Sequence, residues 1–159
     1  MSAYLALRFL HVIGAAVLLG TGVGIAFFML MAHLSRDIAV IAGVARIVVI
    51  ADLAFTATAV VLQPITGTLL AKMAGYPILD GWIGLSLILY VITGAFWLPV
   101  LWMQMRMRVL AETAVHAGAP LPHAYHRLFR TWFAFGIPAF AAVLGIFWLM
   151  LAKPAISLW

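Results

Sequence analysis

The sequence offers few side chains that can do chemistry, and two of them are histidines near its start. His11 and His33 stand 22 residues apart in an almost wholly apolar stretch. If one helix carries both, this spacing separates them by about 33 Å, so they cannot bind one ion together. Neutral imidazole is a good ligand for haem iron and other metals. His11 is therefore either a haem, metal or proton site or a side chain hydrogen-bonded to a neighbouring helix or to lipid headgroups, and His33 belongs to the other end of the helix.

Further histidines lie in the most polar stretch of the chain, residues 106–127. The spacing of His123 and His126 allows weak chelation, but it matches no established metal motif. A second metal site could instead combine His126 with His33. The sequence contains no cysteine, which excludes disulfides, thiolate zinc sites, iron–sulfur clusters and cysteine nucleophiles.

Asp52 is an acidic residue inside the apolar run ARIVVIADLAF. A lone carboxylate in hydrocarbon is expensive, so this side chain is either protonated or paired. Arg106 and Arg130 lie at a compatible depth in the predicted helices. We expect an ion pair between Asp52 and one of these arginines, and the alternatives are a proton carrier, a substrate contact or an exposed position at the interface.

The dipeptide Gln63-Pro64 also interrupts an apolar run. Pro64 has no N–H to donate to the carbonyl of Val60, and a carbonyl freed at membrane depth needs another donor. Gln63 and Thr66 are candidates for satisfying freed backbone groups, or Gln63 could form the floor of a cavity. Prolines occur in three of the four predicted helices, and such kinks favour an internal pocket.

The elements that position these residues follow from composition. Of the 159 residues, 67% are hydrophobic and 8% are charged, with a mean hydropathy of +1.21, which is typical of an integral membrane protein. We predict one all-α domain over residues 1–159, an integral membrane four-helix bundle. The predicted spans are residues 4–34, 47–73, 81–105 and 128–152, with an interfacial amphipathic segment at 36–46 and a cytoplasmic connection at 106–127.

The charge distribution predicts the orientation. Four spans place both termini on the same side of the membrane. The two connections and the start of the fourth span, where Arg130 lies, then carry six arginines, against three basic residues on the other side. The positive-inside rule places the connections in the cytoplasm and both termini in the periplasm of a bacterial inner membrane. The net charge of +5 is explained by these loop arginines, so we expect no nucleic-acid partner. The expected partners are the lipid bilayer and either a homo-oligomer or a larger membrane complex.

Four stretches together resemble a known family: YLALRFLHVIGAAVLLGTGVG, ADLAFTATAVVLQPITG, WLPVLWMQMRM and WFAFGIPAF with LMLAKP. The resemblance is to a bacterial family of small integral membrane proteins of unknown function. That family is distantly similar to HemJ-type protoporphyrinogen oxidases and to CopD-type copper-resistance membrane domains. The similarity implies a four-helix plan with b-type haem bound by His11, and with Lys153 as the terminal lysine.

Three functions remain open. In the first, the chain binds haem b and serves in electron transfer or oxidation. His11 would then be the axial ligand, and Gln63 and Lys153 would complete the site, with no second axial ligand evident. Gly14 would either admit the flat ring or let two helices pack closely. In the second, the chain is a transporter or metal-handling protein with Asp52 and Gln63 along its path. In the third, it is a structural or accessory subunit of a membrane complex.

Overall fold

The computed structural model describes residues 2–79 and 81–155. In this part of the chain the regular structure is entirely helical. Every long helix has the length and apolarity needed to cross a membrane. The predicted all-α, four-helix membrane protein is therefore confirmed. The helices are α1 (Ala3–Ser35), α2 (Ile38–Met73), α3 (Gly81–Ala117) and α4 (His123–Ala152).

The connection between α1 and α2 is only two residues long. Arg36 ends α1 in the left-handed conformation, with a φ of 59°. Asp37 then caps α2, because its carboxylate accepts from the backbone N–H of Ala39 at 2.8 Å and of Val40 at 3.2 Å. The chain therefore reverses within two residues and immediately resumes a helix.

Residues 38–46 continue into the second span without a break, which differs from the separate interfacial segment expected above. Ile41 and Ala45 are 1% and 0% exposed, and Val48 and Val49 continue the same buried stripe. Because these positions recur at helical spacing, one apolar face runs through both segments. The first turns of α2 are packed against the other helices.

The packed core lies toward the end of the molecule that holds the α1–α2 and α3–α4 connections. Met29, Ala45, Met107 and Tyr125 are all at most 1% exposed there. In this half, α3 packs against the first half of α2, while α1 follows α2 along its whole length and α4 follows α3.

The two helix pairs separate toward the α2–α3 turn. Beyond Thr56 the backbone of α2 stays close to α1 but barely approaches α3. The α1/α2 pair and the α3/α4 pair therefore join at one end and diverge at the other. The outward faces of all four helices carry large apolar side chains such as Val91 and Leu151, 69% and 82% exposed, as expected of surfaces that face lipid.

Candidate functional site

A cavity of about 1090 Å³ fills the gap between the two helix pairs. Ligand pockets in proteins commonly measure about 300–1,000 Å³, so this cavity has room for a large ligand. All four helices contribute to its wall, which is mostly apolar. The few polar side chains that reach it include His11, Asp52, Gln63 and Lys153, all of which the sequence had singled out.

His11 is held in one orientation by the neighbouring helix. Its Nδ1 lies 2.8 Å from the hydroxyl oxygen of Thr66, and that hydroxyl donates to the carbonyl of Leu62 at 2.8 Å. The Thr66 hydroxyl has one proton, so when it donates to Leu62 its oxygen accepts from His11 and Nδ1 carries the ring proton. In that tautomer the Nε2 atom keeps its lone pair, and Nε2 has no hydrogen-bond partner within residues 2–79 and 81–155.

Two glycines bring α1 and α2 close enough for these contacts. A Cβ at Gly67 would lie 3.1 Å from Cε1 of His11, so the absence of a side chain there makes room for the imidazole. A Cβ at Gly14 would lie 2.3 Å from Nε2 of Gln63. That Gln63 amide donates to the carbonyl of His11 at 2.9 Å.

Of the two roles considered for Gly14, these contacts favour close packing of the helices. The space over Gly14 is occupied by the Gln63 amide, so the glycine accommodates a neighbouring helix and not a flat ligand. The glycine that borders His11 is Gly67, which the sequence analysis did not single out. Gly67 lies next to His11 because α1 and α2 are in contact at this point. The linear sequence does not reveal that contact.

The carbonyl released by Pro64 is satisfied from the other helix pair. The Tyr90 hydroxyl of α3 donates to the carbonyl of Val60, four residues before Pro64. The freed carbonyl was expected, but its donor is neither Gln63 nor Thr66. Tyr90 could have been considered from the sequence, because it is a polar-tipped residue inside a predicted span.

Asp52 lies at the closed end of the cavity, in a π-helical turn of α2 that runs from Asp52 to Thr56. Its Oδ1 accepts from the indole N–H of Trp97 at 3.2 Å. The Gln104 amide satisfies both its neighbours in one orientation only: its nitrogen donates to Oδ2 of Asp52 at 2.8 Å, and its oxygen accepts from the indole of Trp132 at 3.2 Å. Such π turns occur frequently at functional sites.

The expected ion pair of Asp52 with Arg106 or Arg130 is not formed. Both arginines are exposed, and the ion pair seen within the described residues joins Arg108 to Glu112 at 3.8 Å. The carboxyl is instead surrounded by neutral donors. Gln104 could have been suspected from the sequence, because an amide inside a predicted span is subject to the same argument as Asp52.

Lys153 and Arg8 lie on the cavity wall as well. Lys153 ends α4 in the left-handed conformation, with a φ of 41°. Its Nζ lies 5.9 Å from the ring centroids of Tyr76 and Trp82, within the range of a cation–π contact. The cavity therefore has basic groups near the α2–α3 turn and an acidic group at its closed end.

The structure brings His33 and His126 together at the connection end of the molecule. Their ring centroids are 5.7 Å apart, and His33 stacks on Phe129 with centroids 3.7 Å apart. The Nδ1 of His33 and the hydroxyl of Tyr125 are buried without a hydrogen-bond partner. Across the described ranges, no three His, Cys, Asp or Glu side chains form a metal-binding group. A metal held by this histidine pair stays a prediction.

Comparison with known proteins adds a family but no function. A family model described as "Predicted integral membrane protein (DUF2269)" matches residues 5–154. Searches of curated proteins and of solved structures returned no significant match.

Proposed function

Because the chain belongs to this family of predicted integral membrane proteins, whose function is unknown, we propose a function from its site alone. We infer that the protein binds haem b inside the membrane, with His11 as an axial ligand, and serves in electron transfer or in oxidation of a lipid-soluble substrate. One observation carries the proposal. His11 lines a large apolar cavity, its Nδ1 is hydrogen-bonded to Thr66, and its Nε2 has no hydrogen-bond partner among residues 2–79 and 81–155.

The donor set favours haem over a bare metal ion. Within residues 2–79 and 81–155, no cluster of three metal-ligating side chains is present. Haem does not need one, because the porphyrin supplies the equatorial ligands and the protein adds only axial ones. Histidines that ligate metals almost always donate their second ring N–H to a neighbouring group, which fixes the tautomer and the ring orientation. Thr66 fills that role for His11.

The rest of the cavity suits the amphiphilic character of haem. Its apolar wall matches the macrocycle, and Arg8 and Lys153 supply positive charge for the propionates. Bound haem would supply one-electron chemistry, while the protein would orient the iron and exclude water. Gln63, which bonds to the carbonyl of His11, would hold the ligand helix against α2.

We further propose that the α1–α2 and α3–α4 connections face the cytoplasm of a bacterial cell. Both termini would then be periplasmic, because six of the nine basic residues lie in these connections or in the helix ends next to them.

An absorption spectrum tests the haem proposal. The full-length chain, purified from cells with an adequate haem supply, is expected to show a Soret band that is lost in His11→Ala. A matched control is His116→Ala, which removes an exposed imidazole near the end of α3 and should leave the band unchanged. A colourless wild-type protein, or a band of equal intensity in His11→Ala, contradicts the proposal. If His33→Ala alone removes part of the absorbance, a second haem lies at the connection end.

A further inference from the structure

The closed end of the cavity contains a carboxyl group without a counter-charge. Asp52 is 2% exposed, and no lysine, arginine or histidine of the described chain lies within ion-pair distance of it. An uncompensated charge in a membrane interior is costly, so such a carboxyl is either protonated or paired with a cation from the protein or from a ligand.

The hydrogen bonds around Asp52 all point toward the carboxyl. An indole N–H can only donate, so Trp132 fixes the orientation of the Gln104 amide, whose nitrogen then faces Oδ2. Trp97 donates to Oδ1 in the same way. Both carboxyl oxygens of Asp52 therefore accept from N–H groups. These hydrogen bonds favour the ionised carboxylate at the closed end of the cavity.

Thr56 is a second polar group at the same place. It is 7% exposed and stands at the other end of the π turn, beside the Asp52 carboxyl. Its hydroxyl reaches the cavity wall, so the carboxyl and the hydroxyl together form the polar part of the closed end.

The wall above these groups is apolar and aromatic. Trp97, Trp132 and Tyr90 all contribute to it. The faces of such rings attract cations, and their area accommodates apolar groups. Calcium and magnesium take about six or more oxygen ligands, and Asp52 and Thr56 offer too few for such ions. An organic cation with an apolar body matches both the carboxylate and the wall.

We propose that the closed end of the cavity binds a monovalent organic cation with an apolar body, and that Asp52 is its counter-ion. The site lies about 20 Å along α2 from Thr66, the residue that holds His11. The proposal therefore goes beyond haem binding and does not depend on it. Loss of the Soret band in His11→Ala and loss of cation binding in Asp52→Asn are separate readouts.

Two probes of the same shape and opposite charge test the site. Tetraphenylphosphonium is the cation and tetraphenylborate is the anion, and each is titrated into the full-length protein in nanodiscs by calorimetry. We expect the cation to bind at a defined stoichiometry and the anion not to bind at that site. Asp52→Asn should weaken cation binding about tenfold or more. Glu112→Gln removes one acidic group outside the cavity and should leave it unchanged.

The comparison of the cationic and anionic probes still tests the proposal if Asp52→Asn does not fold. In that case the wild-type protein must still bind the cation in preference to the anion of the same shape. Equal binding of the two probes to the wild-type protein overturns the proposal. So does folded Asp52→Asn protein that binds the cation as tightly as the wild type, or wild-type protein that binds neither probe.

Discussion

The contact between Tyr90 and Val60 predicts that Tyr90→Phe destabilises the protein only when residue 64 is proline. The Tyr90 hydroxyl supplies the donor that Pro64 lacks. Removing it leaves a carbonyl at membrane depth without a partner. An unsatisfied buried group costs about 1–3 kcal/mol in proteins, and side-chain hydrogen bonds within membranes average about 0.6 kcal/mol with a maximum of about 1.7. We therefore expect a loss of about 1 kcal/mol for Tyr90→Phe.

A double-mutant cycle isolates this contribution. In Pro64→Ala the new backbone N–H can donate to the Val60 carbonyl, so the hydroxyl of Tyr90 becomes redundant. Tyr90→Phe in that background should cost less than about 0.5 kcal/mol. Reversible unfolding in mixed micelles, followed by the fluorescence of the six tryptophans, measures both steps. Tyr76→Phe serves as an exposed control. Equal costs of Tyr90→Phe in the two backgrounds would refute the reasoning.

Two further predictions concern the contact between α1 and α2. Gly14→Ala should displace the Gln63 amide, because a Cβ would lie 2.3 Å from its nitrogen, and loss of the amide's bond to the His11 carbonyl should cost about 0.6–1.7 kcal/mol in the same unfolding assay. An unfolding free energy unchanged from the wild type would show that the amide relaxes without loss. Thr66→Val removes the acceptor of the His11 Nδ1–H, so it should lower haem affinity about 10–100-fold without abolishing binding. Haem titration of the apoprotein measures this, and an affinity equal to that of the wild type would remove Thr66 from the site.

The membrane spans could be predicted because length and apolarity alone define them. The extent of each helix could not. Residues 38–46 carry charged neighbours that favour an interfacial position, yet Ile41 and Ala45 lie on the same buried face as the residues that follow. Whether this face is buried depends on the helices that pack against it. The sequence of residues 38–46 alone does not show which helices these are.

The partner of Asp52 shows which part of the site was accessible from the sequence. The two predicted arginines have about the right depth in the membrane, but each lies two residues from a residue of the hydrogen-bond network around Asp52. Arg106 is two residues from Gln104, and Arg130 is two residues from Trp132. Two residues turn a helix by about 200°, so these neighbours point to opposite faces. Gln104 and Trp132 are 1% and 4% exposed, whereas both arginines are exposed. The hydropathy of a segment predicts how deep a residue lies in the membrane. Only the packing of the helices determines which face of its helix points toward the site.

The cavity itself follows from two irregularities in α2. The π turn at Asp52–Thr56 inserts an extra residue at the point where α2 leaves α3, and Pro64 removes a backbone bond farther along. Between them, Tyr90 crosses the gap to the carbonyl that Pro64 releases. In a regular α2 the carbonyl of Val60 would accept from a backbone N–H, so it would not need the hydroxyl of Tyr90 from across the gap between the helix pairs. Asp52 and the freed carbonyl of Val60 therefore lie where α2 departs from a regular helix, and Asp52 shares one cavity with His11 of α1 from about 20 Å away.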